Sequence, residues 1–482
     1  MGLVEPVELV TPDQLGPVHF IAVGGSGMSG IASLYAELGL EVSGSDRADS
    51  PVLATLAARG VRTFVGHAAE QLGSARTVVV STAVGTDNPE LVEAHRRGLR
   101  VWHRSAALAA LMLPRPSVPA PRGVAVGGTA GKTTTSAMVA SALVAAGADP
   151  TFVVGAPLQR WGTSARLGSG PVVVEADESD GSFLQYPAEV VVVTNVEPDH
   201  LDNWGTPAAY ADGFARFAGR PGVGAAVLCA DDPGCQALAE RLAELGDDGP
   251  EQVLYGESPL SDLVLEDITV HATRTTARLT WRGGETGLLR VPGPGHHLAL
   301  DAAAAYAVCR LLGVDHETAL AGLADFGGTA RRFQLVADVG GVRVVDDYAH
   351  HPAKVRAALT SGRAAAGGRL VVCFQPHLFS RTRDFADDFG AALALADEVV
   401  LMDVYPAREE PLPGVDSGLV ADACAARLGA EHVHWVRRRE EVVPRLRELV
   451  HPGDLVMTVG AGDVTTVGPE LVRALAGPGG VR

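Results

Sequence analysis

One of only two lysines in this 482-residue chain closes a glycine loop, Gly128-Thr129-Ala130-Gly131-Lys132-Thr133-Thr134. Loops ending in Gly-Lys-Thr hold nucleotide phosphates: backbone N–H groups turn onto the oxygens, the ammonium reaches the outer phosphates, and the first Thr hydroxyl ligates Mg2+. Val126 stands where the longer Walker pattern has Gly, so this is the shorter Gly-x-x-Gly-Lys-Thr form. Carboxylates crowd into Glu175-Ala176-Asp177-Glu178-Ser179-Asp180, and Glu197-Pro198-Asp199-His200-Leu201-Asp202 adds an imidazole to a second acidic group. Hard divalent cations take oxygen ligands and bridge to phosphates, which gives these carboxylates a use beside a phosphate loop. Gly25-Ser26-Gly27-Met28-Ser29-Gly30, with Asp46 beyond it, satisfies a nucleotide fingerprint in which glycines admit a pyrophosphate and the acid takes a ribose hydroxyl. NAD and a UDP-linked sugar present the same pyrophosphate, so the fingerprint alone does not choose between them.

Two later clusters, Asp346-Asp347-Tyr348-Ala349-His350-His351-Pro352 and Gln375-Pro376-His377-Leu378-Phe379-Ser380-Arg381, carry the groups that orient an amino acid by its carboxylate and amine. Arg331-Arg332 offers guanidinium groups to nucleotide phosphates or to an ion pair. The second lysine, Lys354, reads as a surface helix position.

The elements that must position these groups alternate. Short strands at His19–Val23, Glu41–Gly44, Thr77–Ser81 and Leu99–Trp102 are separated by helical stretches, the pattern of a parallel sheet with crossover helices. Pro114-Arg115-Pro116-Ser117-Val118-Pro119-Ala120-Pro121 reads as a linker. Beyond it, Val124–Val126 is a buried strand and Thr133–Ala145 a helix whose N-terminus faces the anion. Strands follow at Val172–Val174 and Val190–Thr194, then β-rich alternation over Leu263–Thr280. A last segment has strands at Val342–Val345, Arg369–Phe374, Glu398–Met402 and Leu455–Val459. The polar clusters fall at strand ends, where parallel sheets gather ligands.

The formal charge of −18 argues against a nucleic-acid or anionic-membrane partner. Arg437-Arg438-Arg439, followed by Glu440-Glu441, reads as a solvated helix face. The cysteines (Cys229, Cys235, Cys309, Cys373, Cys424) form no Cys-x-x-Cys pair, so neither zinc nor a disulfide framework is expected. No signal peptide, membrane insertion or spanning segment is expected, and the location expected is cytoplasmic.

Taken in order and spacing, Gly25–Gly30, Gly128–Thr134, Glu175–Asp180, Asp199–His200, Arg331-Arg332-Phe333, Asp346–Pro352, Gln375–His377 and Gly460-Ala461-Gly462-Asp463 resemble the Mur ligase family. Asp403-Val404-Tyr405 followed by Ala407-Arg408-Glu409 is similar to its actinobacterial members. The resemblance implies an α/β chain of three domains. Residues 1–121 would form a Rossmann-like UDP-sugar domain, 122–327 a central P-loop ATPase-type domain with a mainly parallel sheet, and 328–482 a Rossmann-like amino-acid domain. It implies an ATP-dependent ligase that makes a carboxylate reactive as an acyl phosphate and then couples an amine. The Gly-Gly-x-Gly-Met motif points to L-alanine and the lactyl carboxylate of UDP-N-acetylmuramate as the pair joined, with Mg2+ (or Mn2+) as the metal, in peptidoglycan precursor synthesis. Monomer and homodimer both stay open.

Residue by residue, the resemblance gives Lys132, Glu175, His200, His350 and Arg381 to catalysis, and Thr133, Glu175 and His200 to the metal. Gly128, Thr129, Ala130, Gly131, Lys132, Thr133, Thr134, Arg332 and Asp347 would meet the nucleotide, with His297 and Asp301 near adenine. Gly25, Ser26, Gly27, Met28, Ser45, Asp46, His67, Ser81, Thr82, Ala83 and Arg104 would hold the UDP-sugar, while Tyr348, His350, His377 and Arg381 position alanine. Four positions depart from the pattern: Ala130 stands for a usual His, Asp301 for an Asn, Leu298 for an Asn or apolar residue, and Leu378 for an Arg. A related ligase with another acid or amine is the alternative these departures motivate. A nicotinamide dehydrogenase accounts for Gly25–Gly30 and Asp46 but leaves Lys132 and the acidic strand ends without a role.

Overall fold

The computed structural model describes residues 3–115, 118–407 and 409–476. Pro116 and Ser117 of the expected linker, and Arg408 of the Ala407–Glu409 motif, lie outside them, as does the side chain of Ser26. Three sheets organise the chain. The first is wholly parallel: β1 Val18–Ile21, β2 Val42–Asp46, β3 Arg62–Val65, β4 Thr77–Val80 and β5 Arg100–His103, in the order β3-β2-β1-β4-β5. The order reverses between β1 and β4, and in such sheets ligands settle outside the strands' carboxyl ends near that point.

The second sheet has ten strands: β6 Gly123–Gly127, β7 Thr151–Leu158, β8 Thr163–Arg166, β9 Val172–Glu175, β10 Val190–Val193, β11 Ala225–Cys229, β12 Glu251–Gly256, β13 Leu263–Val270, β14 Arg274–Trp281 and β15 Glu285–Pro292. Their order is β15-β14-β13-β12-β11-β10-β6-β9-β7-β8. β6, β9, β10 and β11 run parallel and are almost entirely buried, as Val-rich strands covered on both faces must be. The third sheet comprises β16 Gln334–Val339, β17 Val342–Asp347, β18 Leu370–Phe374, β19 Glu398–Met402, β20 Val433–Val436 and β21 Leu455–Val459, ordered β16-β17-β21-β18-β19-β20 with only β16 antiparallel.

By internal packing the chain forms two compact units. The first runs to Asp267 and takes in Ala277–Arg290 and Ala299–Gly327; the second comprises Ile268–Thr276, Val291–Leu298 and the chain from Gly328 onward. Among the described residues no helix is long and apolar enough to cross a membrane.

Two sequence expectations are corrected. The proline-rich segment is not a free linker: Arg115 and Val118 are buried and exchange backbone hydrogen bonds at 2.9 Å. The Arg437–Arg439 run is not one helix face. Arg437 stacks over Trp435 at 4.1 Å, Arg438 precedes the helix Arg439–Leu449, and Arg439 pairs with Glu470 at 2.8 Å.

Candidate active site

The phosphate loop leaves the carboxyl end of β6, and its backbone demands glycine at two places. Gly128 has φ +131° and Gly131 φ +82°, and a Cβ on Gly128 would lie 2.0 Å from Thr194 Oγ1. The helix Lys132–Ala145 then starts, so its first N–H groups and its positive dipole end face the loop. The segment leaving β10, the neighbour of β6 in the sheet, braces the loop from outside. Ala130 N–H donates to Asn195 Oδ1 at 2.8 Å, Asn195 Nδ2 returns a bond to the Ala130 carbonyl at 3.2 Å, and Thr129 N–H donates to the Asn195 carbonyl at 3.1 Å. Thr129 Oγ1 lies 2.9 Å from Tyr210 Oη.

Lys132 curls into this cradle. Its Nζ donates to the Gly128 carbonyl at 2.6 Å and sits 2.8 Å from Glu178 Oε2. Burial works against the ammonium, but Glu178 outweighs it and holds the Lys132 pKa above its ordinary value. Burial pushes Glu178 the other way, up from the carboxylate range, with Lys132 opposing. His200 enters the same cluster from a left-handed backbone position, φ +53°, with Nε2 3.9 Å from Glu178 Oε1 and 3.6 Å from Asp199 Oδ2.

Glu175, at the end of β9, accepts the Gly155 N–H at 2.7 Å. Thr133 is buried at the helix start. The carboxylate nearest the lysine is therefore Glu178, a residue the sequence places in the acidic run without singling it out. Among the described residues no three His, Cys, Asp or Glu side chains are grouped to hold a metal by themselves. The donor set still suits Mg2+, which uses one or two carboxylates and fills its octahedron with phosphate oxygens and water.

In the first sheet, Gly24 N–H donates to Asp46 Oδ2 at 2.9 Å, tying β2 to the glycine turn. Arg104 follows β5; its Nη1 lies 3.0 Å from where a Cβ on Gly27 would stand, and its Nη2 donates to Asp177 Oδ2 at 3.0 Å. Gly25, Gly27 and Arg104 are thus brought together, with Asp177 linking them to the acidic run. Thr82 and Ala83 are exposed in the turn after β4, and Ser81 is half-buried there. Ser45 and His67 meet at 2.9 Å. Met28 is 2 % exposed and its side chain belongs to the hydrophobic core.

The two residues expected near adenine, one turn apart on the helix His296–Leu311, differ in burial. Asp301 is buried under the phosphate loop, where Oδ1 accepts the Thr135 hydroxyl at 3.1 Å. His297 is exposed in the first turn of the helix His296–Leu311.

The second unit holds the other cluster. Asp346 accepts from Thr458 Oγ1 at 2.6 Å and Thr465 Oγ1 at 2.8 Å and meets Arg331 Nε at 3.3 Å. Asp347 takes the N–H groups of Phe333 and Ala349 at 2.9 and 2.8 Å, while burial lifts its pKa. Arg331 and Arg332 lie over the Tyr348 ring at 4.8 and 5.5 Å. His350 packs edge-on to Tyr348 at 4.9 Å and 5.9 Å from His377, whose ring stacks on Tyr405. His350 Nδ1 lies 2.9 Å from the Tyr348 carbonyl and so carries the proton, leaving Nε2 as the acceptor. Burial, with Arg381, Lys354 and His377 nearby, pulls the His350 pKa down to about 3. Arg381 Nη1 reaches the His350 carbonyl at 3.5 Å. Tyr348, His350, His377 and Arg381 therefore converge. Lys354 is half-buried at the start of the helix Pro352–Ala365, close enough to act on His350, and is not a plain surface residue.

Three family models cover most of the chain: the Mur ligase family catalytic domain over residues 17–115, the Mur ligase middle domain over 126–309, and the Mur ligase glutamate ligase domain over 331–462. The chain belongs to the Mur ligase family. The UDP-N-acetylmuramate–L-alanine ligase of Cutibacterium acnes is 56 % identical over 99 % of this chain and 100 % of that protein. The one from Kineococcus radiotolerans is 52 % identical over 96 % and 97 %. Among solved structures, the UDP-N-acetylmuramate-alanine ligase of Thermotoga maritima superposes with a TM-score of 0.77 at 29 % identity, covering 95 % of this chain and 98 % of that one.

Several residues of this Mur ligase site carry no individual signal in the sequence. Glu178 and Asp177 lie in the acidic run, and only the fold brings them to Lys132 and Arg104. Asn195 braces the loop with two side-chain bonds and its backbone carbonyl, and Tyr405 comes from a different strand end; neither contact leaves a local signature.

Proposed function

We propose that this Mur ligase joins L-alanine to the lactyl carboxylate of UDP-N-acetylmuramate, releasing UDP-N-acetylmuramoyl-L-alanine, ADP and phosphate, a cytoplasmic step in making peptidoglycan precursor. The full-length identity to the Cutibacterium acnes ligase carries this reading, and the phosphate loop supports it. The lactyl carboxylate attacks the γ-phosphorus of ATP, forming an acyl phosphate and expelling ADP. The alanine amine then attacks the acyl carbon and phosphate leaves, with the amine proton passing to a base or solvent. A carboxylate resists amines because its leaving group is oxide, and phosphorylation replaces that leaving group.

In this reading Lys132 and the loop N–H groups neutralise the transferring phosphoryl group, a role of charge stabilisation and positioning. Thr133, Glu175 and His200 would hold Mg2+, with Glu178 beside them; the metal supplies further neutralisation of phosphate charge. Arg104 and the Gly25–Gly27 turn would take the diphosphate of the UDP-sugar. His350, kept neutral, offers Nε2 to an N–H of alanine, while Arg381 takes its carboxylate. A panel of amino acids with UDP-N-acetylmuramate and ATP tests the proposal. ADP release specific to L-alanine is expected; release with another amino acid would favour the related-ligase alternative, and none with the UDP-sugar would overturn the L-alanine–UDP-N-acetylmuramate reading.

A further inference from the structure

Glu90 has no part in the chemistry above, yet its carboxylate is fully buried. It lies in the first turn of the helix Pro89–Arg96 that follows β4, and it gathers donors from three other elements. Oε1 faces His19 Nε2 at 3.1 Å and, with the Gln71 amide nitrogen turned inward, that nitrogen at 2.9 Å. Oε2 accepts Ser45 Oγ–H at 2.5 Å and faces His67 Nδ1 at 2.8 Å. Four donors fill the lone-pair sites of an ionised carboxylate. Although burial alone would raise the Glu90 pKa, His19, Ser45 and His67 together bring it below the usual value, so the group is ionised at neutral pH.

An ionised oxygen 2.8 Å from a ring nitrogen requires a proton between them, so His67 carries its proton on Nδ1. His19 is fixed likewise: Nε2–H donates to Glu90, and Nδ1 accepts from Ser43 Oγ at 2.8 Å. Of the two histidines only His67 reaches the surface, at 20 % side-chain exposure, while His19 is fully buried. It stands just past the carboxyl end of β3, beside Ser45 near the end of β2, on the side of the sheet where a nucleoside lies when its diphosphate occupies the β1 glycine turn. Apolar residues of equal volume hold a core at least as well as a buried ionic network. The network's distinct product is a single imidazole orientation.

We propose that Glu90 is a positioning residue for the uridine end of the UDP-sugar: it holds His67 in the Nδ1–H tautomer, so that Nε2 faces the ligand as an acceptor for an N–H or O–H donor. The ligand half of this rests on the UDP-sugar reading above; the tautomer half does not. Two measurements separate them. In the 15N spectrum of histidine-labelled full-length protein, with His67→Gln assigning the signal, wild-type His67 shows a protonated Nδ1 and an unprotonated Nε2. The opposite pattern would overturn the proposal, and this reading is independent of whether any Glu90 variant folds. In calorimetry, Glu90→Gln weakens UDP binding about tenfold, the value of one hydrogen bond, with ATP affinity unchanged, and Glu90→Asp recovers part of it. Unchanged UDP affinity, or equal weakening for UDP and ATP, would overturn it. A wild type that fails to bind UDP would sink the UDP-sugar reading instead, and the His67 spectrum tells the two failures apart.

Discussion

Lys132 Nζ lies 2.8 Å from Oε2 of Glu178, a carboxylate only 1 % exposed, and the same ammonium closes on the Gly128 carbonyl. The loop thus holds its cation by a buried counter-charge.

Two substitutions divide the acidic run by role. Glu178→Gln removes the charge beside Lys132 while keeping the shape, and turnover should fall about a hundredfold or more, as when a group stabilising transition-state charge is lost. Glu175→Ala should abolish ADP formation if Glu175 is a Mg2+ ligand. Steady-state ADP release, with circular dichroism confirming the fold, checks both. Near-normal turnover in either variant would remove that residue from the phosphoryl-transfer site.

Arg104 makes the second prediction. It stands against Gly27 and donates to Asp177, so Arg104→Ala should raise KM for UDP-N-acetylmuramate tenfold or more, about 1.4 kcal/mol. KM for ATP should change little. If ATP and UDP-sugar suffer equally, the arginine serves the packing of the acidic run and not the diphosphate.

How far the sequence reveals all this varies with burial. The Val-rich strands β6, β9 and β10 lie within two residues of their expected places because strands buried on both faces read as unbroken apolar runs. Two edge strands escape notice: β3 is Arg62-Thr63-Phe64-Val65 with an exposed or half-exposed pattern, and β20 carries His434 and Trp435 on a half-exposed strand. Glycine-loop motifs are legible because positive φ and close approach leave only one residue type. Glu178, Glu90 and Asn195 are not, since their meaning comes from groups distant in sequence. Asp301 shows the same point: its approach to Gly131 is set by the fold and has no mark in the local sequence.

His350 should leave a mark on stability. Its pKa in the folded chain is about 3, against an ordinary value of 6.5, chiefly through burial. The unfolded chain therefore binds a proton first, so the stabilisation is complete above pH 6.5 and drains away as pH falls toward 3. His103, lowered to about 4 by burial, acts in the same direction over pH 6.5 to 4. A fully shifted histidine contributes up to about 1.4 kcal/mol per pH unit within its window. Urea unfolding at pH 7.5 and pH 5 should show the loss, and His350→Gln should flatten it. An unaltered slope in that variant would mean that His350 is protonated in the folded protein as readily as in the unfolded one.

Gly131 offers the sharpest structural test of the loop. Its φ of +82° costs a residue with a Cβ about 1–2 kcal/mol, and that Cβ would sit 2.6 Å from Asp301 Oδ1. Asp301 cannot withdraw freely, because the Thr135 hydroxyl holds the same oxygen at 3.1 Å. Gly131→Ala should therefore displace the turn that feeds the helix N-terminus, raising KM for ATP and lowering kcat by about a hundredfold in combination. Adding Asp301→Ala relieves the clash but not the backbone strain, so the double variant should regain part of the lost activity. If Gly131→Ala alone keeps near-normal kinetics, the carboxylate under the loop is not a fixed floor and Asp301 has another role. If the double variant is no better than the single one, backbone strain alone sets the loop's requirement for glycine.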